Sequence, residues 1–283
     1  MASITQILVA SDLTGRSDRA LLRAVQLKRE LAATLTLLHV VEHGLAPEIA
    51  QRRRVESIEI LDARMLDISE GSLRHVVIEA LIGDPFATIV GEAEARNADL
   101  IILGAPGKQR LKDLFVGTTT ERVIRHSERP VLVVKEATAE AYRRVLVAFD
   151  LSEGASRALE TSLTVAPHAE FLLVHVMTPL VRIAGREATT QETLTKEKER
   201  TRNILEDKAW QAINRSGDPH RKLNIEIIEG SPASVIRNEL TGFGADLLAL
   251  GTHGRGTLQA AIFGSLARDL VAEVSRDVLV TRP

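Results

Sequence analysis

The feature that most constrains the fold of this chain is an internal duplication. The segment ILVASDLT at residues 7–14 returns as VLVAFDLS at residues 145–152, which is 145 minus 7, or 138, positions later. The segment LLHV at 37–40 returns as LVHV at 173–176, at an offset of 173 minus 37, or 136. With 283 residues in all, each copy is long enough to build its own hydrophobic core. We therefore expect two similar domains, residues 1–137 and 143–283.

Each half also contains the glycine pattern G-x2-G-x9-G-[ST] between an apolar run and a helical pattern. The two copies consist of Gly104, Gly107, Gly117 and Thr118 in the first half and Gly251, Gly254, Gly264 and Ser265 in the second. Glycine lets the backbone approach a ligand closely, and the unpaired N–H groups of a helix's first turn attract anions. A strand, a glycine loop and a helix start in this order indicate phosphate binding, and two copies in matching contexts are much stronger evidence than one.

Apolar strand-like runs alternate with amphipathic stretches in both halves. Five strands and four helices per half predict a parallel α/β fold with right-handed crossovers. A core rich in Leu, Val, Ile and Ala, with only 3% aromatic residues, suits a parallel sheet covered by helices. The strand candidates are residues 4–10, 34–41, 74–81, 100–104 and 131–135, and then 143–149, 170–177, 223–229, 247–251 and 278–282.

Local patterns refine this prediction at two places. Asp84-Pro85 and Ser231-Pro232 have the form of a helix N-cap followed by proline at the first helical position. The glycine motifs repeat at an offset of 147, so the second half has 147 minus 136, or 11, more residues between its second and third strands. This region, residues 186–216, is dense in charged residues, and we interpret it as a long helix with about three additional turns.

Composition excludes several functional classes. A net charge of -2 gives no reason to expect nucleic-acid binding, and we interpret the arginines at 52–54 as a solvated helix face. The absence of cysteine excludes disulfides, thiolate catalysis and cysteine-ligated metal sites. No basic leader or run of about 18 apolar residues is present, so we expect a cytoplasmic protein without a membrane span.

These motifs, in this order, resemble the ATP-binding branch of the universal stress protein family in its tandem-domain form, across essentially the whole chain. The resemblance rests on an aspartate after the first strand (Asp12, Asp150), the LLHV and LVHV segments, Gly-x-Pro, the glycine motif and the closing strands. It implies two flavodoxin-like, or Rossmann-like, domains, each a five-stranded parallel sheet of order 3-2-1-4-5 flanked by helices. In that order the first and fourth strands are neighbours, and ligands favour the crevice at their carboxyl ends.

The resemblance further implies a site for an adenine nucleotide, ATP with Mg²⁺, that is most complete in the second half. There the backbone of Val176 would bind adenine, and Asp150 would lie near the ribose or a metal. The other second-half residues assigned to the nucleotide are Gly251, His253, Gly254, Arg255, Gly264 and Ser265. The first-half equivalents are Asp12, Val40, Gly104, Gly107, Gly117 and Thr118. Because Pro106 removes a backbone donor there, nucleotide binding in the first half stays open.

Structural interpretations compete with these assignments. The glycines would then form only a loop and a helix start, and Asp12 and Asp150 would cap helices. We interpret His39 and His175, which precede the valines at the strand ends, as hydrogen-bonded boundary residues and not as ligands.

The P-loop, HExxH and G-x-S-x-G motifs are absent, and no general base is identifiable near the glycine motif. We therefore expect a stress-response protein that acts as a nucleotide-dependent regulator or adaptor, and not a fast catalyst. The alternatives are a slow ATPase or nucleotidyl-handling enzyme, and an adaptor without nucleotide that uses its long second-half helix as a partner surface. The closing strands, 131–135 and 278–282, are sheet edges that should pair the halves into a pseudo-dimer. Homodimerisation of the whole chain stays open.

Overall fold

The computed structural model describes residues 3–69, 74–105, 117–137, 140–177, 191–218, 221–252 and 263–283, with the backbone alone for residues 191–194. The described elements of the first domain are β1 (Gln6–Ser11), α1 (Gly15–Leu31), β2 (Thr34–Glu42), α2 (Pro47–Ile68), β3 (Val76–Gly83), α3 (Pro85–Ala95), β4 (Leu100–Gly104), α4 (Thr119–His126) and β5 (Val131–Val134). Those of the second are β6 (Arg144–Ala148), α5 (Glu153–Val165), β7 (Glu170–Met177), α6 (Gln191–Ser216), β8 (Leu223–Glu229), α7 (Pro232–Gly242), β9 (Leu247–Gly251), α8 (Ser265–Glu273) and β10 (Asp277–Thr281).

The ten strands form one sheet in the order β3-β2-β1-β4-β5-β10-β9-β6-β7-β8. Within each domain the strands are parallel and follow the predicted order 3-2-1-4-5, which confirms the expected fold. The two domains meet where β5 and β10 pair in antiparallel orientation, with Leu132 opposite Leu279. The closing strands therefore join the domains, as the sequence analysis expects of these edges.

Both faces of the sheet are buried, which explains why its strands read as continuous apolar runs. Along β1, Ile7 and Val9 enter one hydrophobic cluster and Leu8 enters the other. The first cluster lies under α1, α2, α5 and α6, and the second under α3, α4, α7 and α8. Each cluster contains residues from both domains, so the two halves share their core across the junction.

The helix boundaries follow the predicted caps. Asp84 caps α3, with its side chain accepting a hydrogen bond from the backbone N–H of Ala87, and Ser231 occupies the N-cap of α7. None of the helices within the described ranges is long and apolar enough to cross a membrane.

The second half contains the long helix that the sequence analysis predicts within residues 186–216. Helix α6 has 26 residues and its counterpart α2 has 22, a difference of four residues, or about one turn. Residues 186–190, where the predicted helix begins, lie outside the described residues. The expectation of about three additional turns therefore stays a prediction.

Candidate functional site

Each domain has a cleft at the carboxyl ends of its first and fourth strands. The first cleft, of about 850 Å³, is lined by the ends of β1, β2 and β4 and by the start of α4. The second cleft, of about 280 Å³, is lined by the ends of β6, β7 and β9 and by the start of α8. Asp12, Val40 and Gly104 line the first cleft, and Asp150, Val176, Gly251, Gly264 and Ser265 line the second. These predicted residues therefore meet at the edge where doubly wound sheets bind ligands.

The two aspartates form the same turn in both domains. The backbone N–H groups of Thr14 and Ser152 each donate to the Oδ1 atom of the aspartate two residues earlier, at 3.0 Å. The residue between them has a positive φ, 60° at Leu13 and 67° at Leu151. The N-caps of α1 and α5 are Thr14 and Ser152, so the alternative in which the aspartates themselves cap the helices is wrong.

Hydrogen bonding affects the charge of Asp12 in the first cleft. Its partial burial raises the pKa of this carboxyl, but hydrogen bonds from the Thr14 hydroxyl, at 2.6 Å, and from the Thr14 backbone N–H outweigh that effect. The pKa of Asp12 is consequently lowered from its ordinary value, so the first cleft carries a stable negative charge at neutral pH.

A histidine links the second strand to the first in each domain. The Nδ1 atom of His39 lies 2.8 Å from the carbonyl oxygen of Ser11, and that of His175 lies 2.7 Å from the carbonyl oxygen of Phe149. A carbonyl oxygen only accepts hydrogen bonds, so Nδ1 is the donor in both rings. These bonds fit the interpretation of both histidines as hydrogen-bonded boundary residues.

The second strand of each domain extends past the end of the first. The last residue of β2 that pairs with β1 is His39, opposite Ser11, and the last residue of β7 that pairs with β6 is Val174, opposite Ala148. Val40 and Val176 therefore lie beyond the residues that pair with the first strand of their domain, and they line the clefts. This is the position at which the family resemblance places the backbone contacts of adenine.

The first glycine of each motif has a packing role that needs no ligand. A Cβ atom at Gly251 would lie 2.8 Å from the backbone nitrogen of Ala155 and from the carbonyl carbon of Gly154, at the start of α5. At Gly104 it would lie 3.0 Å from the carbonyl oxygen of Arg16 in α1. These glycines let the fourth strand of each domain approach the first helix closely.

The last glycine differs between the domains. Gly117 has a φ of 82°, a conformation that favours glycine, whereas a Cβ at Gly264 would lie 2.9 Å from the carbonyl oxygen of Thr252. The backbone N–H of Gly264 donates to that same oxygen at 2.9 Å. Gly264 thus lies directly against Thr252, and its amide donates to that residue. The remaining predicted residues, Gly107, His253, Gly254 and Arg255, lie outside the described residues.

The start of α8 opens into the second cleft without a side-chain cap. The N-cap residue is Gly264, which has no side chain to cap the helix, and the first turn contains no acidic residue. Ser265 and Leu266, the first two residues of the helix, line the cleft. The first N–H groups of a helix have no partner within it, so this end of α8 presents donors and partial positive charge to the cleft.

The start of α4 in the first domain is capped by side chains of the same segment. The hydroxyl oxygen of Thr118 accepts from the backbone N–H of Glu121 at 3.2 Å. The Glu121 carboxylate in turn accepts from the backbone N–H of Gly117 at 2.5 Å. The residues of this segment that line the cleft are Thr119 and Thr120, which follow the predicted Thr118. The Thr118-x-x-Glu121 spacing is a capping-box signal that the sequence contains and that our sequence analysis missed.

Helix α2 adds a wall to the first cleft that the sequence analysis also missed. Arg53, Glu56, Ser57 and Ile60 line the cleft, although the arginines at 52–54 were interpreted as a solvated face. Arg53 is exposed, which agrees with a solvated face, but its side chain also lines the cleft. The spacing of positions 53, 57 and 60 places them on one helix face and could have indicated a shared surface.

Metal ligation by protein groups alone has little support in the described part of the chain. Within those ranges no group of three or more histidine, aspartate or glutamate side chains could hold a metal ion. Among the described residues that line the second cleft, Asp150 is the single titratable side chain. Mg²⁺ is commonly held by one or two carboxylates together with the phosphates of a substrate, so Asp150 fits a metal that arrives with a nucleotide.

Comparisons with known proteins agree with the architecture. A family model described as the universal stress protein family matches residues 3–135 and 141–282. A universal stress protein of Mycolicibacterium smegmatis is 24% identical over 302 residues, covering 98% of this chain and 97% of that protein. One from Methanocaldococcus jannaschii is 29% identical over 155 residues, covering 46% of this chain and 94% of that protein. The crystal structure of a universal stress protein from Archaeoglobus fulgidus has a TM-score of 0.70 at 20% identity, covering 100% of this chain and 99% of that chain, and shares its fold.

Proposed function

Because this chain belongs to the universal stress protein family, with two of its domains in tandem, we propose that it is a stress-response regulator whose second domain binds ATP with Mg²⁺. Occupancy of that site would control the conformation of the protein or its choice of partner. The nucleotide is the ligand that the glycine motif of the ATP-binding branch implies. The proposal concerns binding and not rapid catalysis.

The observation that carries the proposal is the start of α8. It lies at the crevice between the ends of β6 and β9, it has no side-chain cap, and its first turn has no acidic residue. Phosphate groups favour such a helix end because backbone N–H groups and the helix dipole both attract negative charge. In the first domain, by contrast, the Thr118 hydroxyl and the Glu121 carboxylate already accept from backbone N–H groups at the start of α4.

The rest of the second cleft suits the uncharged parts of a nucleotide. Val174, Val176 and Ile236 give it apolar walls, and Asp150 adds a carboxylate to its lining. The base would pack between the apolar walls, and Asp150 would bind the ribose or the Mg²⁺ carried by the phosphates. With about 280 Å³, the cleft lies just below the usual range for ligand sites of about 300–1,000 Å³, which suits a base and ribose with the phosphates at its mouth.

The described lining of the second cleft favours binding over hydrolysis. Rapid hydrolysis requires a group that positions or deprotonates water, and Asp150 is the single titratable side chain among those described residues. We therefore expect at most slow ATP turnover. Phosphate release that persists after the binding site is disrupted would indicate a contaminating enzyme.

Equilibrium dialysis with radiolabelled ATP and Mg²⁺ tests the proposal with the variant Ser265→Asp. A carboxylate in the first turn suits the helix dipole, so the fold should be preserved, but it repels phosphate at the proposed site. We expect ATP affinity to fall by about tenfold or more, which corresponds to about 1.4 kcal/mol.

The matched control is Thr119→Asp, the same change in the first turn of α4, where Glu121 already supplies a carboxylate. It should leave ATP affinity unchanged. The proposal fails if the wild-type protein does not bind ATP, or if Ser265→Asp binds it as tightly as the wild type does.

A further inference from the structure

A third cavity lies between α5 and α6 of the second domain. It has a volume of about 270 Å³. It shares Phe149 with the second cleft, but none of its other described lining residues belongs to that cleft. Phe149, Leu159 and Ala212 are buried and give the cavity an apolar part. Its polar lining residues within the described ranges are Glu153, Ser156, Glu160, Lys208, Gln211 and Arg215.

The first domain has an ion pair at the corresponding position. Asp18 and Ser156 are separated by 156 minus 18, or 138, positions, which is the offset at which the first strands repeat. In the first domain, the Nη1 atom of Arg64 in α2 donates to the Oδ1 atom of Asp18 at 2.6 Å. In the second, the Nζ atom of Lys208 in α6 donates to the hydroxyl oxygen of Ser156 at 3.3 Å. Lys208 therefore corresponds to Arg64, but it has a hydroxyl where Arg64 has a carboxylate.

The same correspondence explains the cavity. Ile68 lies four residues after Arg64, and Ala212 lies four residues after Lys208. Ile68 packs against the first hydrophobic cluster, whereas the smaller Ala212 lines the cavity. A large-to-small difference in a packed region leaves a cavity where the neighbouring groups do not close it. The second domain therefore lacks both a carboxylate and a large aliphatic side chain at this position.

Two opposite charges in the cavity lack an ionic partner within the described part of the chain. Lys208 donates there to the neutral Ser156 hydroxyl, and Glu153 makes no hydrogen bond or ion pair with the described residues. The Glu153 carboxylate stands in the first turn of α5, where the helix dipole favours a negative charge. Further along the cavity, the Arg215 guanidinium and the Glu160 carboxylate already pair at 2.5 Å. The cavity thus presents one cation and one anion that a ligand can pair.

The spacing of these groups on the two helices suits a small zwitterion. Glu153 precedes Ser156 by three residues, so both lie on one face of α5, about 4.5 Å apart along its axis. Since Lys208 contacts Ser156, the two opposite charges are offset by about one helical turn. Gln211, three residues after Lys208, also lines the cavity and adds an amide donor. An ammonium and a carboxylate carried on one carbon atom suit such an arrangement.

We propose that this cavity binds an α-amino acid with an aliphatic side chain. Its carboxylate would accept from Lys208 and from the amide of Gln211, and its ammonium would donate to Glu153. Hydrogen bonds between ionised groups are roughly twice as strong as those between neutral groups. The ligand carboxylate would thus take the role that Asp18 has in the first domain.

The apolar part of the cavity determines the expected side chain. Phe149, Leu159 and Ala212 have no polar side-chain atoms, so an aliphatic chain would pack against them. At about 270 Å³, the cavity lies just below the range of about 300–1,000 Å³ that is usual for ligand sites, which suits a small metabolite. The bound amino acid would bridge α5 and α6 at a site separate from the proposed nucleotide site.

Isothermal titration calorimetry of the full chain with L-leucine, in the absence of nucleotide, tests the inference. We expect L-leucine to bind. 4-Methylpentanoate lacks the ammonium and 3-methylbutylamine lacks the carboxylate. Each analogue should bind at least about tenfold more weakly than leucine, because each leaves one charge of the cavity unpaired.

The variant Ser156→Asp recreates the ion pair of the first domain. The new carboxylate would pair with Lys208, as Asp18 pairs with Arg64, and would compete with the carboxylate of the ligand. Leucine affinity should fall at least about tenfold, while the free energy of unfolding stays unchanged or rises. This combination distinguishes loss of the site from loss of the fold.

Two further variants test the charges individually. Lys208→Met and Glu153→Gln should each lower leucine affinity by about tenfold. The matched control is Lys198→Met on the same helix, because Lys198 pairs with Glu229 and is not among the described residues that line the cavity. This variant should bind leucine as the wild type does.

Three results would overturn the inference. The first is the absence of leucine binding to the wild-type protein. The second is equal affinity for leucine and 4-methylpentanoate, which would show that Glu153 does not recognise the ammonium. The third is wild-type affinity in Ser156→Asp or in Lys208→Met, which would place the bound leucine elsewhere on the chain. ATP enters none of these measurements, so their outcome is independent of the test of the proposed function.

Discussion

Single residues in the glycine motif carry both packing and binding constraints. At Gly104 and Gly251 the fourth strand of each domain lies against the first helix, with no room for a side chain at Gly251 and only a tight fit at Gly104. Gly117 is needed for its positive φ, and Gly264 for its contact with Thr252. A motif that looks like one ligand-binding signal therefore also contains positions that the fold itself requires.

The substitution Gly251→Ala tests this packing role. Its Cβ would lie 2.8 Å from backbone atoms of Gly154 and Ala155, which cannot move as a flexible side chain can. We expect a loss of about 1–3 kcal/mol in the free energy of unfolding, measured with urea.

The control for this substitution is Gly91→Ala. Gly91 lies inside α3, and a Cβ there would have no atom within 4 Å. Alanine is a better helix former than glycine, so this variant should gain about 0.5–1 kcal/mol. Equal stability of the two variants would contradict the packing explanation.

At the scale of elements, α4 and α8 begin in different ways although their sequences align. Thr118 is the N-cap of α4 and its side chain bonds the N–H of Glu121, whereas the aligned Ser265 is the first residue of α8, after the N-cap Gly264. One residue of difference in the helix start changes which groups face the cleft. The two ends therefore differ in their suitability for an anion.

We predict that Thr118→Ala and Ser265→Ala have unequal effects on stability. Thr118→Ala removes a capping bond and should cost about 1 kcal/mol. Ser265 is exposed and makes no capping bond, so Ser265→Ala should change the free energy of unfolding by less than about 0.5 kcal/mol. Urea unfolding of both variants measures the difference, and equal losses would show that both side chains cap their helices.

The elements of this fold could largely be predicted from the sequence, because their signals are local. Continuous apolar runs marked the strands, and the Asp84-Pro85 pair marked the start of α3. The duplication, read with the family resemblance, predicted the strand order in both halves. The size of the first cleft could not be predicted, because it depends on how separate elements pack, although the spacing of positions 53, 57 and 60 marks one face of α2. The charge at Glu121 was visible in the sequence, but its burial against Gly117 was not.

At the scale of the whole molecule, a buried polar cluster connects the two domains. Asp277 at the start of β10 is fully buried and accepts from the Tyr142 hydroxyl at 2.6 Å and from the Lys135 backbone N–H at 2.7 Å. The guanidinium of Arg23, from α1 of the other domain, lies 3.4 Å from it and stacks on the Tyr142 ring at 3.9 Å. The cluster thus connects a first-domain helix, the linker and a second-domain strand.

The variant Asp277→Asn should destabilise the protein strongly. It leaves the Arg23 guanidinium, 1% exposed, without a negative partner, and breaking such a buried pair costs about 3–5 kcal/mol. Chemical denaturation measures this loss. The control is Arg276→Gln, which removes the more exposed pair with Glu136 at the same junction and should cost less than about 1 kcal/mol. Similar losses in both variants would refute the assignment of the junction's stability to the buried pair.

Lys135 gives this junction a pH dependence. Burial lowers the pKa of its ammonium from 10.5 to about 8, although the negative charge of Asp277 opposes the shift. Above about pH 8 the folded state releases this proton while the unfolded chain retains it, so the free energy of unfolding rises with pH up to 10.5. The stability of the wild type relative to Lys135→Met should increase by about 2 kcal/mol between pH 7 and pH 10. A difference that does not change with pH would show that Lys135 keeps its ordinary pKa.

The antiparallel seam between β5 and β10 also determines where the two clefts point. Parallel strands within each domain end at one edge of the sheet, and the seam reverses the direction of one domain relative to the other. The clefts therefore open at opposite edges of the ten-stranded sheet. A macromolecule bound over one cleft would leave the other cleft accessible. One chain can therefore offer separate binding surfaces to two different partners. Any coupling between the two clefts must pass through the β5–β10 seam.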